Sequence, residues 1–301
     1  MDLDKLRALV ELSRLGTMTA VAAATGYGTS AVSQQLAALE RQTGTTLFES
    51  EGRRVRLTPA GRRLAAHGRG ILAAVTAAEL DLAARDEPHG RLRVAGHTTA
   101  LQDLLVPALP ALAAAYPKVR IDLHESEPDE TEALLDGDRI DLGLVWDYTL
   151  VPRVWRHVPA LLTSTPMVLA VPPGVDVPDR IRTPADLEAL RDVEWIGNSR
   201  DGGDDELAHR LCAIAGWSPR IRHRADTLAL LTDLVAAGTG VCMLPAGSPE
   251  AARVRTAALD LVRTDVRIWS LVRAGTESWP ATAAVIGHLA GAAGTGARVS
   301  G

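Results

Sequence analysis

The stretch that decides the fold reads Thr17-Met18-Thr19-Ala20-Val21-Ala22-Ala23-Ala24-Thr25-Gly26-Tyr27-Gly28-Thr29-Ser30-Ala31-Val32-Ser33-Gln34-Gln35-Leu36. Two helical segments meet at Gly26-Tyr27-Gly28, where glycine freely takes the positive φ that a tight turn needs. In the second segment Val32, Leu36 and Leu39 form one apolar stripe, which predicts a helix over 29–43 ended by Gly44. Ser30, Ser33, Gln34, Ala37 and Arg41 fall on or near the opposite face. Helix, tight turn and helix with small polar groups outward is the helix-turn-helix pattern, here at about residues 18–37. Upstream, Leu3, Leu6, Leu9 and Val10 predict a further helix closed by Gly16, and Thr19 is the expected N-cap of the short helix 20–25.

Working outward, Leu47-Phe48-Glu49-Ser50-Glu51-Gly52-Arg53-Arg54-Val55-Arg56-Leu57 reads as two short strands around a Glu51-Gly52 turn. Thr58-Pro59 supplies a cap and a first-turn proline for a long helix to about Arg85. Its stripe is Leu64, Ile71, Val75, Ala78 and Leu82, weakened by Gly68 and Gly70, so packing against a partner must support it. Asp86-Glu87-Pro88-His89-Gly90 reads as a linker.

Composition bounds the rest. The chain has 301 residues, 47% hydrophobic and 23% charged, which suits two globular domains and excludes a disordered or collagen-like chain. With one phenylalanine, Phe48, the cores must be built mainly from Leu, Val, Ile and Ala. Two cysteines cannot form a disulfide framework, and a reduced cytoplasmic protein is expected. Asp2, Asp4 and Glu11 stand where a signal peptide would be basic, and no uncharged apolar run reaches about 18 residues, so no membrane partner is expected. The net charge of −5 hides an asymmetry: residues 28–69 carry seven arginines against three glutamates, whereas 91–301 carry 21 Lys and Arg against 27 Asp and Glu. Such a basic segment on an acidic body suits one end meeting a polyanion, though a solvated arginine face would look the same.

Residues 1–85 resemble the DNA-binding end of a LysR-type transcriptional regulator. The match rests on Thr17-Met18-Thr19-Ala20, Ala22-Ala23, Ala31-Val32-Ser33-Gln34-Gln35-Leu36 and Leu39-Glu40. It continues through Gly44, Leu47-Phe48-Glu49, Gly52-Arg53-Arg54 and Leu57-Thr58-Pro59-Ala60-Gly61. The chain departs from the family's usual pattern at Gly28-Thr29-Ser30, Met18 and Ser50. The resemblance implies base contacts from Thr29, Ser30, Ser33 and Gln34, and phosphate contacts from Arg53 and Arg54 on the wing. It also implies a homodimer through the long helix, a pairing of dimers, and a dyad-symmetric double-stranded DNA operator.

From Arg91 strands alternate with helices, which predicts a mainly parallel α/β sheet. Strand candidates are Leu92–Gly96, Val119–Leu123, Ile140–Val145, Pro166–Val171, Val193–Gly197, Arg220–Arg224, Gly238–Pro245 and Val266–Val272. Two units with a late return strand suggest lobes joined by two crossovers and a ligand in the cleft between them. Tyr116-Pro117-Lys118-Val119, Gly137-Asp138 before Asp141-Leu142-Gly143, and Val235-Ala236-Ala237-Gly238-Thr239-Gly240 before Leu244-Pro245 resemble the LysR effector domain, with its type 2 periplasmic-binding-protein fold. That resemblance puts Thr98, Thr99, Asn198, Ser199, Asp226 and Thr227 at the cleft. Thr98, Thr99 and their helix N-terminus could hold a carboxylate there, or serve only as caps.

The expected fold is a multidomain α+β and α/β chain. It divides into a winged helix-turn-helix at 1–58, a linker and dimerisation helix at 59–88, and a two-lobed effector-binding domain at 91–301. Lobe I covers about 91–163 and 267–295, and lobe II about 164–266. The expected function is a sequence-specific transcription regulator controlled by a small-molecule effector, with no cofactor, no metal and no enzymatic motif. Two alternatives stay open. Cys212 and Cys242 would be the residues of a redox sensor, although Cys242 lies in an apolar segment where thiols are inert. A solute-binding protein without DNA affinity could use the same lobes. His97, His124, His157, His209 and His223 lack metal-ligand spacing and read as surface or pocket polarity. Trp146, Tyr148 and Trp155 read as cleft lining or core, and Glu125, Glu127, Asp129 and Glu130 as a solvated face.

Overall fold

The computed structural model describes residues 2–51, 54–83, 88–200 and 202–296. Local chemistry sets the first elements. The Asp2 carboxylate accepts from the amides of Asp4 and Lys5 and starts α1 (Leu3–Leu15), which Gly16 closes at φ 72°. α2 (Met18–Thr25) is capped by Thr17, whose hydroxyl accepts from the Ala20 amide at 3.2 Å. The helix therefore starts two residues before the expected position and Thr19 lies inside it, because Thr17 is the threonine with extended backbone. α3 (Thr29–Thr43) begins after Gly28 without a side-chain cap and ends at Gly44.

Leu9, Leu12, Val21, Val32, Leu36 and Leu39 form the core of this unit. Glu40 of α3 accepts from the amides of Leu47 and Phe48 at 2.7 and 3.3 Å, so α3 itself pins the base of the wing. The wing pairs β1 (Phe48–Glu51) with β2 (Arg54–Leu57) from Phe48↔Leu57 to Glu51↔Arg54. Glu51 is thus a strand residue, not half of the expected Glu51-Gly52 turn. Thr58 accepts from the Gly61 amide at 3.0 Å and caps α4 (Pro59–Ala83). A Cβ at Gly68 would stand 2.9 Å from Leu6 and 3.0 Å from Val10, so this glycine permits the close crossing of α1 and α4. Along the expected α4 stripe, Leu64 and Val75 are half-buried, whereas Ile71 is 41% exposed and Ala78 is exposed. The Leu82 side chain and the linker residues 84–87 lie outside what is described.

The second half begins with β3 (Gly90–Gly96) and α5 (Thr98–Ala100), which passes through a π-helical turn at Leu101–Leu105 into α6 (Val106–Ala115). β4 (Val119–Glu125), α7 (Pro128–Asp136), β5 (Leu142–Tyr148) and β6 (Val158–Val171) follow. After these come β7 (Arg180–Ile181), a 3-10 helix (Pro184–Leu190), β8 (Glu194–Gly197), α8 (Gly203–Ile214), β9 (Arg220–Arg224) and α9 (Leu228–Ala236). β10 (Cys242–Pro245), a short 3-10 turn, β11 (Arg255–Leu259), β12 (Asp265–Val272) and α10 (Pro280–Gly296) complete the described chain. Helix 98–115 is long and apolar enough by composition to cross a bilayer. It carries Asp103, and its Leu101, Leu105, Ala108 and Leu112 pack into a core with Leu142, Leu144 and Ile268.

The main sheet runs β4-β3-β5-β12-β6-β11-β7, with β10 also on β6. It is mixed, which corrects the mainly parallel expectation. β4, β3 and β5 are parallel, but β12 is antiparallel to both β5 and β6, and β10 and β11 are antiparallel to β6. The return strands reverse direction because the chain crosses between lobes and comes back. β6 pairs with β12 from Val158 to Pro166 and with β10 and β11 from Met167 to Val171. A separate core of Leu169, Leu187, Trp195, Leu211 and Trp217 fills the second lobe.

Candidate functional site

On α3 the buried stripe aims the opposite face outward. Val32, Leu36 and Leu39 are fully buried, while Thr29, Ser30, Ser33 and Gln34 are exposed. No hydrogen bond among the described residues engages those four side chains. Arg54 is placed in β2 opposite Glu51, and Arg53 lies outside the described residues. Arg56 is exposed on the same strand, and Arg62 donates to the Leu57 carbonyl at 2.9 Å.

The second site is a cavity of about 200 Å³ between the lobes. β3 delivers His97, Thr98 and Thr99 to it, in keeping with ligand sites at the carboxyl ends of parallel strands. Asn198 follows β8, and Ala225 and Asp226 follow β9 on the facing lobe. Trp146 and Tyr148 of β5, Met167 of β6 and Ile268 of β12 also line the walls. Four of the six expected cleft residues are therefore brought together: Thr98, Thr99, Asn198 and Asp226. Ser199 and Thr227 are not on the wall. The Ser199 amide and hydroxyl both donate to Asp226, at 2.8 Å for the amide, and Thr227 caps α9 through the Leu230 amide.

His97 is 8% exposed, and its Nδ1 is buried with no hydrogen-bond partner among the described residues. Burial pushes its pKa down to about 4, so the imidazole is neutral at neutral pH. Its ring meets Trp146 edge-on at 6.2 Å, and Trp146 packs on Tyr148 at 5.1 Å. Trp146 and Tyr148 are each 6% exposed, so they serve core and cleft at once, while Trp155 packs elsewhere with Leu135 and Ile140. The Tyr148 hydroxyl donates to Asp204 of α8, a bond from one lobe to the other. Arg200 makes a second tie across the lobes, reaching Glu125 at 3.3 Å and Glu130 at 3.2 Å.

Asp103, Glu127 and Asp204 also line the cavity, and nothing in the sequence pattern marks them as cleft residues together. Asp103 does leave a signal, since it is the lone charge of the largely apolar segment from Thr98 to Ala115. Asp103 is exposed, yet partial desolvation at the cavity edge, then the charge of Glu250, raises its pKa. The expectation that Thr98 and Thr99 hold a carboxylate meets a physical obstacle. The Thr98 hydroxyl donates to Glu125 at 2.8 Å, and among the described residues the lining contains Asp103, Glu127, Asp204 and Asp226 but no lysine or arginine.

The two cysteines lie away from solvent. Cys212 and Cys242 are buried, and burial pushes both thiols up, Cys212 to about 12.

Two family models match. The model described as "Bacterial regulatory helix-turn-helix protein, lysR family" covers residues 3–62, and "LysR substrate binding domain" covers 85–294. The chain is 28% identical to the transcriptional dual regulator GltC of Bacillus subtilis (strain 168) over 81% of each protein. It is 32% identical to a probable hydrogen peroxide-inducible genes activator of Streptomyces viridosporus, over 81% of this chain and 77% of that one. Among solved structures, a full-length OxyR variant from Pseudomonas aeruginosa superposes with a TM-score of 0.68 at 18% identity, covering 96% of this chain and 94% of that one. CbnR in complex with its target DNA gives 0.52 at 24% identity, covering 97% and 100%. The chain therefore belongs to the LysR family, as a DNA-binding transcription regulator with a winged helix-turn-helix and a substrate-binding effector domain.

Proposed function

We propose that Thr29, Ser30, Ser33 and Gln34 meet base edges in the major groove while Arg53 and Arg54 meet phosphate. The observation that carries this reading is the outward face of α3, whose polar side chains are exposed and unbonded beside a fully buried stripe. A Gln side chain can bond adenine twice, so Gln34→Ala should cost about 1–3 kcal/mol on the operator and little on random DNA. Gel shifts on both DNAs test it, and equal losses on the two would remove Gln34 from base reading.

The interlobe cavity is the effector site in this reading, and ligand-dependent closure sets the spacing of paired reading heads. A ligand can do this only through different affinities for the open and closed arrangements. The working units are 1–58, 59–88 and 91–301, with lobe I at about 91–163 and 267–295 and lobe II at about 164–266. α4 pairs with a second copy over Ile71, whose 41% exposure in a single chain supports an interhelical contact. The protein acts as a regulator rather than as an enzyme, in the cytoplasm where its DNA is, and cell fractionation checks the compartment.

Peroxide sensing is a second reading, favoured by the names of several relatives. The reactive species in such chemistry is a thiolate, and burial holds Cys212 and Cys242 as thiols at neutral pH. Native protein treated with iodoacetamide should stay unlabelled at both positions, as read by peptide mass spectrometry. Rapid labelling of either cysteine would favour the peroxide reading instead.

A further inference from the structure

Among the described residues, the charged groups on the walls of the interlobe cavity have one sign. Asp103 stands on the first lobe, exposed at the cavity edge, and Asp226 stands exposed on the second. Glu127 and Asp204 add two more carboxyl groups to the lining. Asp103 makes no hydrogen bond or ion pair among the described residues. Asp226 is held by the amide and hydroxyl of Ser199, both neutral donors. Arg200 reaches Glu127 at 3.8 Å, but it also binds Glu125 and Glu130 and does not itself line the cavity. Negative charge facing a cleft with low-dielectric walls concentrates cations and repels anions.

A second observation points independently to a ligand. His97 is 8% exposed, lines the cavity, and leaves Nδ1 buried without a partner among the described residues. A buried ring nitrogen without a hydrogen bond is unfavourable unless something supplies one. Trp146 and Tyr148 add aromatic surface, which attracts a cation as well as an apolar body. Met167, Leu231 and Ile268 supply apolar wall.

We propose that the effector is a small amine, protonated at neutral pH. Its ammonium is held by carboxylates from both lobes, Asp103 and Asp226, and a polar group of its body satisfies His97 Nδ1. This rests on the cavity being the effector site. The charge also gives a reason for closure: like-charged carboxylates on facing lobes repel, and one cation bonded to both turns that repulsion into attraction.

The test uses the full chain and amine–carboxylate pairs of matched shape, phenethylamine against 3-phenylpropionate and 1,4-diaminobutane against adipate, read by thermal shift and titration calorimetry. At least one amine should raise Tm and bind ten-fold or more tightly than its paired carboxylate. Asp103→Asn and Asp226→Asn should each weaken that amine about ten-fold. Both positions are exposed, so neither variant removes core packing. Tighter binding of the carboxylate in either pair overturns the amine assignment and leaves the cavity as the effector site. An unchanged amine affinity in both variants also overturns the assignment. If no member of either pair shifts Tm at millimolar concentration, the effector-site reading falls together with it.

Discussion

The outward face of α3 and the interlobe cavity, the two recognition surfaces proposed above, are built in opposite ways. The α3 face comes from one helix turn and the next, residues 29–34, with no internal hydrogen bonds among its exposed polar side chains. The cavity collects residues from His97 to Ile268, delivered by strands and helices of both lobes, and many of its polar groups are already committed to neighbours. Thr98 serves Glu125, Tyr148 serves Asp204, and Ser199 serves Asp226. A surface that must sample many DNA sequences keeps its donors and acceptors available to bases. A surface that recognises one small molecule is held in shape beforehand, which lowers the ordering cost of binding.

The largest test of this contrast acts on α4, which lies between the two regions. Ile71→Asp should put an uncompensated carboxylate into the pairing seam at a cost on the order of 3–5 kcal/mol. Sedimentation of the full chain should then show a monomer with an intact cleft and weakened operator binding. A wild-type chain that is itself monomeric at high concentration would take pairing away from this helix.

The next effect belongs to the cavity and follows from His97. Its folded-state pKa of about 4 lies below the ordinary 6.5, so as pH falls the unfolded chain takes up the proton first. The stability is present in full above pH 6.5 and is lost between pH 6.5 and 4, to a total of about 3 kcal/mol. Urea unfolding across that range should show the loss in the native chain and a flatter profile in His97→Gln. Parallel profiles for the two proteins would mean that other groups carry the acid sensitivity.

The smallest effect belongs to the wing. Arg54→Ala should weaken binding to every DNA and lower the slope of log affinity against log salt by about 0.9, the value for one neutralised phosphate. An unchanged slope would return this arginine to solvated surface and leave DNA binding to α3.

The same contrast decides what could be read from the sequence. The stripe of Val32, Leu36 and Leu39 and the glycines at positions 16 and 44 fix α3 and its neighbours within a residue or two, because helix periodicity is local. The cap of α2 falls on Thr17 instead of the expected Thr19 because the two offer equal capping chemistry, and only backbone conformation chooses between them. In the second half the first eight residues of β6 give no strand signal. Pro159 and Pro166 stand near their two ends, and proline reads as a strand breaker when its neighbours in space are unknown. β11, with its small Ala257 and Ala258, has too weak an apolar signal to declare itself. Cleft positions at strand ends, such as Thr98 and Asn198, are within reach only through the resemblance to the LysR effector domain. The charge of the cavity is not within reach even so, since Asp103, Glu127 and Asp204 are far apart in sequence and converge only through packing.

β6 gives this domain a property that neither lobe would have alone. One continuous strand is hydrogen-bonded to β12 as far as Pro166 and to β10 and β11 from Met167 onward. Its two ends thus belong to two hydrophobic cores, with Leu162 in one and Leu169 in the other. Fraying of either core strips partners from the same strand and exposes an edge to the other. Loss of either core should therefore weaken the other, and a single calorimetric transition is the expected outcome even though each lobe has its own interior.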